Sequence, residues 1–127
     1  MSGAAERPLY ERLGGYDAIA AVADDLCQRM FADPVIAVYW RGHSNDSKKR
    51  LRQFLVDYFC QVTGGPVVYQ GRDMKTSHEG LGITEREWQI FLMHTLAAVV
   101  GIQAPERERE ELLEIVLSLK SDIVEEP

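Results

Sequence analysis

The sequence predicts an all-α domain. Apolar residues recur at three- and four-residue spacing along most of the chain. Alternating strand patterns are nearly absent, and glycine and proline fall at intervals that suit helix lengths. The 127 residues point to one domain, 1–127, with enough chain to bury a real core. Residues 1–7 are expected to be flexible and 125–127 to form a short tail.

The breaks lie at Gly14-Gly15, Asp33-Pro34, Gly42 to Ser47, Gly64-Gly65-Pro66, Gly80 to Gly82 and Ala104-Pro105. Residues 8–13 hold at most a turn of helix. Residues 16–32 predict the first full helix, with Ile19, Val22, Leu26 and Met30 on one stripe and Cys27 bordering it. Asp33-Pro34 ends it, because proline disfavours helical geometry in the residue before it. Residues 35–40 give a short apolar turn ending in Tyr39-Trp40.

The second helix spans 47–62, with Leu51, Phe54, Leu55, Tyr58, Phe59 and Val62 in three-four spacing and Ser47 as its N-cap. Residues 67–82 are irregular, with room for one helical turn before His78. Pro66-Val-Val-Tyr69 is too short to build a sheet. Residues 84–100 form the third helix, opened by Thr84 with Glu87 three residues on, the pattern of a capping box. Residues 105–122 form the fourth, with Leu112, Ile115, Val116 and Leu119 inward. The long irregular segment between the second and third helices needs a functional reason or something to pack on.

The net charge of −6 argues against nucleic acid and weakly against a membrane surface. Lys48-Lys49-Arg50 with Arg52 is a short basic cluster on a helix start. No window reaches the roughly 20 apolar residues that span a bilayer, and no signal-peptide stretch opens the chain. A soluble cytoplasmic protein is expected. Cys27 and Cys60 form no CxxC pair, so neither a zinc site nor a redox motif is indicated.

Three blocks in order carry a family likeness: residues 9–19 (LYERLGGYDAI), 64–74 (GGPVVYQGRDM) and 77–84 (SHEGLGIT). Together they resemble the group I truncated haemoglobins over residues 8–124. The resemblance implies a two-over-two helical sandwich around one b-type haem. It makes His78 the iron ligand, and a neutral imidazole nitrogen is the commonest protein donor to haem iron. Gly80 and Gly82 would allow a sharp backbone path beside the porphyrin. The second ring nitrogen is expected to donate to a backbone carbonyl, which fixes the tautomer.

By matching positions, Tyr39 and Trp40 wedge against the haem. Met74 packs the proximal side, and Tyr69 and Ile83 form pocket walls. Trp88, Phe91 and Leu92 face inward from the third helix and Val116 from the fourth. Each of these would equally serve as ordinary core. Lys75 and Arg72 are cations available to haem propionates. His94, mid-helix among apolar residues, reads as a satisfied structural histidine. His43 reads as a solvated loop residue, with second axial ligation as its alternative.

The sequence departs from the family on the distal side. Members commonly carry a tyrosine in the first helix that donates to bound oxygen, and the ungapped match puts Cys27 there. A thiol is a weak donor. The second helix allows two registers. Anchored on Gly64-Gly65-Pro66, the distal positions are Leu51 and Leu55. Anchored on Arg52-Gln53, Gln53 reaches the iron side but Asp57 is buried unpaired, at a cost of several kcal/mol. The first register is preferred, leaving an apolar distal side with Tyr58 as its main donor. The resemblance then implies reversible binding of O₂, CO and NO, for transport or sensing. NO dioxygenase or peroxidase-like turnover with a separate reductase is the alternative, and a haem-free helical interaction module is third. No catalytic residue is assigned.

Overall fold

The computed structural model describes residues 7–126. The expectation of a flexible start falls mostly on residues 1–6, which lie outside it. Seven α-helices follow in order: α1 Leu9–Leu13, α2 Tyr16–Ala32, α3 Asn45–Val62, α4 Met74–His78, α5 Glu85–Gly101, α6 Glu106–Leu117 and α7 Lys120–Ile123. A 3-10 turn, Ala37–Trp40, sits between α2 and α3. Among the described residues the only extended pairing is one bridge between Thr84 and Glu126. The all-α expectation holds.

α2 packs against both α3 and α5, and α5 also meets α6, so the main helices stack two over two. Ile19, Val22, Leu26 and Met30 are buried from α2, as their spacing predicts, and Ala23 and Cys27 are buried beside them. α3 contributes Val56, Phe59 and Cys60, α5 contributes Trp88, Thr95, Ala98 and Val99, and α6 contributes Leu112 and Val116.

Local chemistry sets the helix ends. α2 stops at Asp33, where the backbone turns extended ahead of Pro34. At α5 the Glu87 amide donates to Thr84 Oγ1 at 3.2 Å, and the Glu87 carboxylate accepts from the Thr84 amide at 2.9 Å. This reciprocal pair is the capping box read from the sequence.

Four expectations need correction. α3 begins at Asn45, and its cap is Ser44, whose hydroxyl accepts from the Ser47 amide at 3.1 Å. Ser47 is thus the residue being capped. The segment before His78 is not merely a turn leading to it: α4 includes His78. The fourth helix is not continuous over 105–122, but breaks at Ser118 and Leu119 into α6 and α7. Of the expected tail, Glu125 and Glu126 are pinned: their amides donate to the Ile83 carbonyl at 2.9 and 3.1 Å, and the Glu85 amide donates to the Glu126 carbonyl at 3.0 Å, while residue 127 lies outside the described residues.

Thr84→Ala should cost the fold about 1 kcal/mol, the usual worth of an N-cap. Urea unfolding of wild type and variant checks this, and an unchanged midpoint would remove the capping box from the list of stabilising features.

Candidate functional site

His78 closes α4, a helix of five residues. Asp73 caps that helix by accepting from the Thr76 amide at 3.3 Å. The imidazole is half-buried. Its Nδ1 lies 2.8 Å from the Met74 carbonyl oxygen and 2.9 Å from the Ser77 hydroxyl. A carbonyl only accepts, so Nδ1 carries the proton of the neutral ring and the lone pair remains on Nε2. That is the tautomer a metal-ligating histidine needs. α4 has α7 as its main packing partner rather than α3.

α3 presents the other side. Leu51, Leu55 and Tyr58 are half-buried along one stripe, whereas Val56, Phe59 and Cys60 on the adjoining face take the core. The stripe read from the sequence is therefore turned: only part of it meets protein, and Phe54 is 44% exposed. Tyr69 crosses from the loop to meet Tyr58 and Phe54 edge-on, with ring centroids 5.2 and 6.1 Å apart. Its hydroxyl donates to the Arg72 carbonyl at 2.7 Å. Gly71 makes that fold-back possible, since a Cβ there would lie 2.2 Å from the Tyr69 oxygen.

The 3-10 turn supplies the aromatic wedge. The Tyr39 hydroxyl donates to Glu87 Oε1 at 2.7 Å. Burial, then the Glu87 hydrogen bond and charge, push the Tyr39 hydroxyl up to about 12. Trp40 stacks edge-on against Phe31 at 5.3 Å. Both aromatics are half-buried, as are Met74, Ile83, Phe91 and Leu92, and all of these pack at the margin of the core. Trp88 and Val116 are each 1% exposed. They back the site from the core and present no open surface to it, although the buried Trp88 indole N–H has no partner among the described residues.

The distal candidates separate clearly. Gln53 is exposed, donating to Asp57 at 2.9 Å and Tyr16 at 3.2 Å, and Arg52 turns outward to Asp24 at 3.0 Å. Cys27 is 3% exposed and its thiol is pushed up to about 11 by burial, with Asp24 adding to the effect. It stays protonated at neutral pH. The Tyr58 hydroxyl makes no hydrogen bond among the described residues, and burial raises its pKa, with Tyr69 and Asp122 adding to the shift.

Of the other histidines, His43 is exposed and its Nδ1 lies 3.1 Å from Ser47 Oγ, outside this group of residues. His94 is a satisfied structural residue: its Nε2 donates to Asp33 Oδ2 at 2.7 Å. Asp33 Oδ1 in turn accepts from the Val35 amide at 2.8 Å and sets the bend into the 3-10 turn. Lys75 and Arg72 are exposed, with no ion pair among the described residues.

These residues fit a haem. His78 Nε2 has no partner among the described residues, the candidate pocket side chains are apolar and half-buried, and several large apolar groups are exposed: Phe54 at 44%, Leu81 at 47% and Val68 at 66%. Apolar surface on this scale asks for a cover. Such a constellation on a two-over-two helical frame defines a globin.

Residues 8–125 match the family of bacterial-like globins, and the chain belongs to it. It is 31% identical to the group 1 truncated hemoglobin GlbN of a Nostoc species over 118 residues, 91% of this chain and 96% of that one. Truncated hemoglobin from Tetrahymena pyriformis, Fe(III) form, superposes with a TM-score of 0.85 at 18% identity, covering 93% and 98% of the two chains. The 2/2 hemoglobin of a Synechococcus species, solved with covalently attached heme, gives 0.82 at 20%, again covering 93% and 98%. As a globin the chain takes haem with its iron and serves haem-based gas binding. No helix among the described residues is long and apolar enough to cross a membrane.

Asp33 is held below the usual carboxylate range, first by the His94 hydrogen bond and then by the Val35 amide. Its contribution to stability is therefore present above the ordinary carboxylate pKa and is lost as pH falls through the lowered folded value. Asp33→Asn should weaken the fold at neutral pH and flatten that acid limb. Thermal unfolding followed from neutral to acid pH tests it, and parallel curves for the two proteins would count against the pairing.

Proposed function

We propose that His78 Nε2 would hold the haem iron and that a small diatomic gas, O₂, CO or NO, would bind at that iron in a pocket lined by Leu51 and Leu55. The observation that carries this is the His78 ring itself, half-buried, with Nδ1 committed to Met74 and Nε2 left free. Haem iron supplies an open coordination position for such a ligand. Trp40, Met74, Ile83, Phe91 and Leu92 would clasp the apolar ring and exclude water. Tyr69, fixed on Arg72, would wall one edge. Lys75 and Arg72, both exposed, would be the cations available to acidic haem groups.

Each hydrogen-bond donor beside a polarised O₂ strengthens its binding by roughly 1–2 kcal/mol. This distal side offers a protonated thiol, two leucines and one phenol. O₂ is therefore held weakly, with Tyr58 as the main donor.

Absorption spectra of the haem-reconstituted protein, ferric and then reduced, provide the first test. Wild type should show a Soret band that sharpens on reduction, and His78→Ala should lose or displace it. Stoichiometric haem uptake with spectra indifferent to His78 would sink the assignment of the ligand.

Flash photolysis or stopped flow reads the distal side. Leu55→Gln should slow O₂ release by about tenfold, the equivalent of one added donor of about 1.4 kcal/mol. Tyr58→Phe should speed release severalfold, and no change in that variant would rule out Tyr58 as the donor.

A further inference from the structure

We infer that Glu125 is a positioning residue for His78: its carboxylate clamps the loop that leaves the imidazole's helix. The inference rests on the reading of His78 given above.

The loop Glu79-Gly80-Leu81-Gly82 follows α4 directly. Gly80 and Gly82 have φ of +85° and +68°, a conformation that side-chain-bearing residues rarely adopt. Backbone amides in such a stretch form a concave donor site for an anion. Here the anion is part of the chain. Glu125 Oε2 accepts from the Gly80 amide at 3.0 Å, and Oε1 accepts from the Gly82 amide at 2.8 Å. The amide between them, on Leu81, donates to the carbonyl of His78 at 3.2 Å. The carboxylate thus fixes both flanks of the one contact that ties the His78 backbone to its loop.

The geometry also explains why both oxygens are needed. Each takes a different amide, and the two glycines have no side chain that could hold the loop. The same two amides lower the Glu125 pKa, so the group is a carboxylate at neutral pH. The docking is reinforced from α7, the main packing partner of α4. Removing the side chain leaves the backbone strap in place, because the Glu125 and Glu126 amides still reach the Ile83 carbonyl and Glu85 still reaches Glu126. The clamp can therefore be tested apart from the fold.

The experiment compares wild type with Glu125→Ala and Glu125→Gln. Amide hydrogen exchange at Gly80 and Gly82 is read in the haem-free protein. The iron–histidine stretching band and the rate of haem transfer to an excess of an apoglobin acceptor are read in the reconstituted one. In Glu125→Ala, exchange at both glycines should rise about tenfold. The iron–histidine band should shift or broaden, and haem should transfer severalfold faster. Glu125→Gln keeps one accepting oxygen and should fall between. Exchange that does not rise would overturn the clamp. Exchange that rises while the band and the transfer rate stay at wild-type values would overturn the positioning role, leaving Glu125 as an anchor for the C-terminus. A wild-type spectrum indifferent to His78 would instead remove the haem-ligand reading, and it is recorded before Glu125 is changed.

Discussion

A helix of five residues does not hold itself together in water. Nucleating the first turn fixes several backbone dihedrals for a single hydrogen bond. Under the proposed reading, α4 would have to present one imidazole nitrogen in a defined direction. Everything around it answers that constraint. Asp73 caps its start, the ring's own Nδ1 closes back on Met74, and Glu125 grips the loop beyond it from 45 residues away. α7, a separate turn after α6, is the main packing partner of α4. The break after α6 is thus part of the same arrangement as the histidine.

α3 faces the complementary problem. Its apolar arc is too wide for a single protein surface, so Val56, Phe59 and Cys60 serve the core while Leu51, Leu55, Tyr58 and Phe54 are only partly covered. Burying a large apolar side chain fully is worth about 1.5–3 kcal/mol. Leaving several of them half-open is unfavourable for the protein alone and would become favourable once a flat apolar body covered them. The irregular loop from Gly64 to Asp73 follows the same logic: Tyr69, its main inward contact, meets α3 and not another helix.

What the sequence discloses follows from locality. The helices, the capping box at Thr84 and Glu87, and the stop at Asp33-Pro34 all depend on residues within a turn of one another. The choice between Ser44 and Ser47 as cap does not. Both are good N-caps, and the path of the chain through Gly42 and His43 decides. No glycine or proline marks the break at Ser118 and Leu119, because tertiary docking on α4 makes it. Periodicity located the stripe on α3 but not the angle at which the core meets it. His78 was legible through the family likeness of its flanking residues. Glu125 was not: beside Glu126 and Pro127 it reads as a solvated acidic end, and its role depends on glycines far upstream.

On α3 the polar residues pair with one another and with α2: Arg52 with Asp24, and Gln53 with Tyr16 and Asp57. Those groups satisfy one another there and none is left for the interior. Cys27 then sits buried beside Leu26 with a thiol that burial and Asp24 keep protonated. Under the proposed reading, a pocket built this way would distinguish poorly among neutral diatomics by hydrogen bonding. Its selectivity would then fall to the space beneath two leucines and to a single phenol. The low polarity is therefore not one missing tyrosine but a consequence of how α2 and α3 pair their charges on the outside.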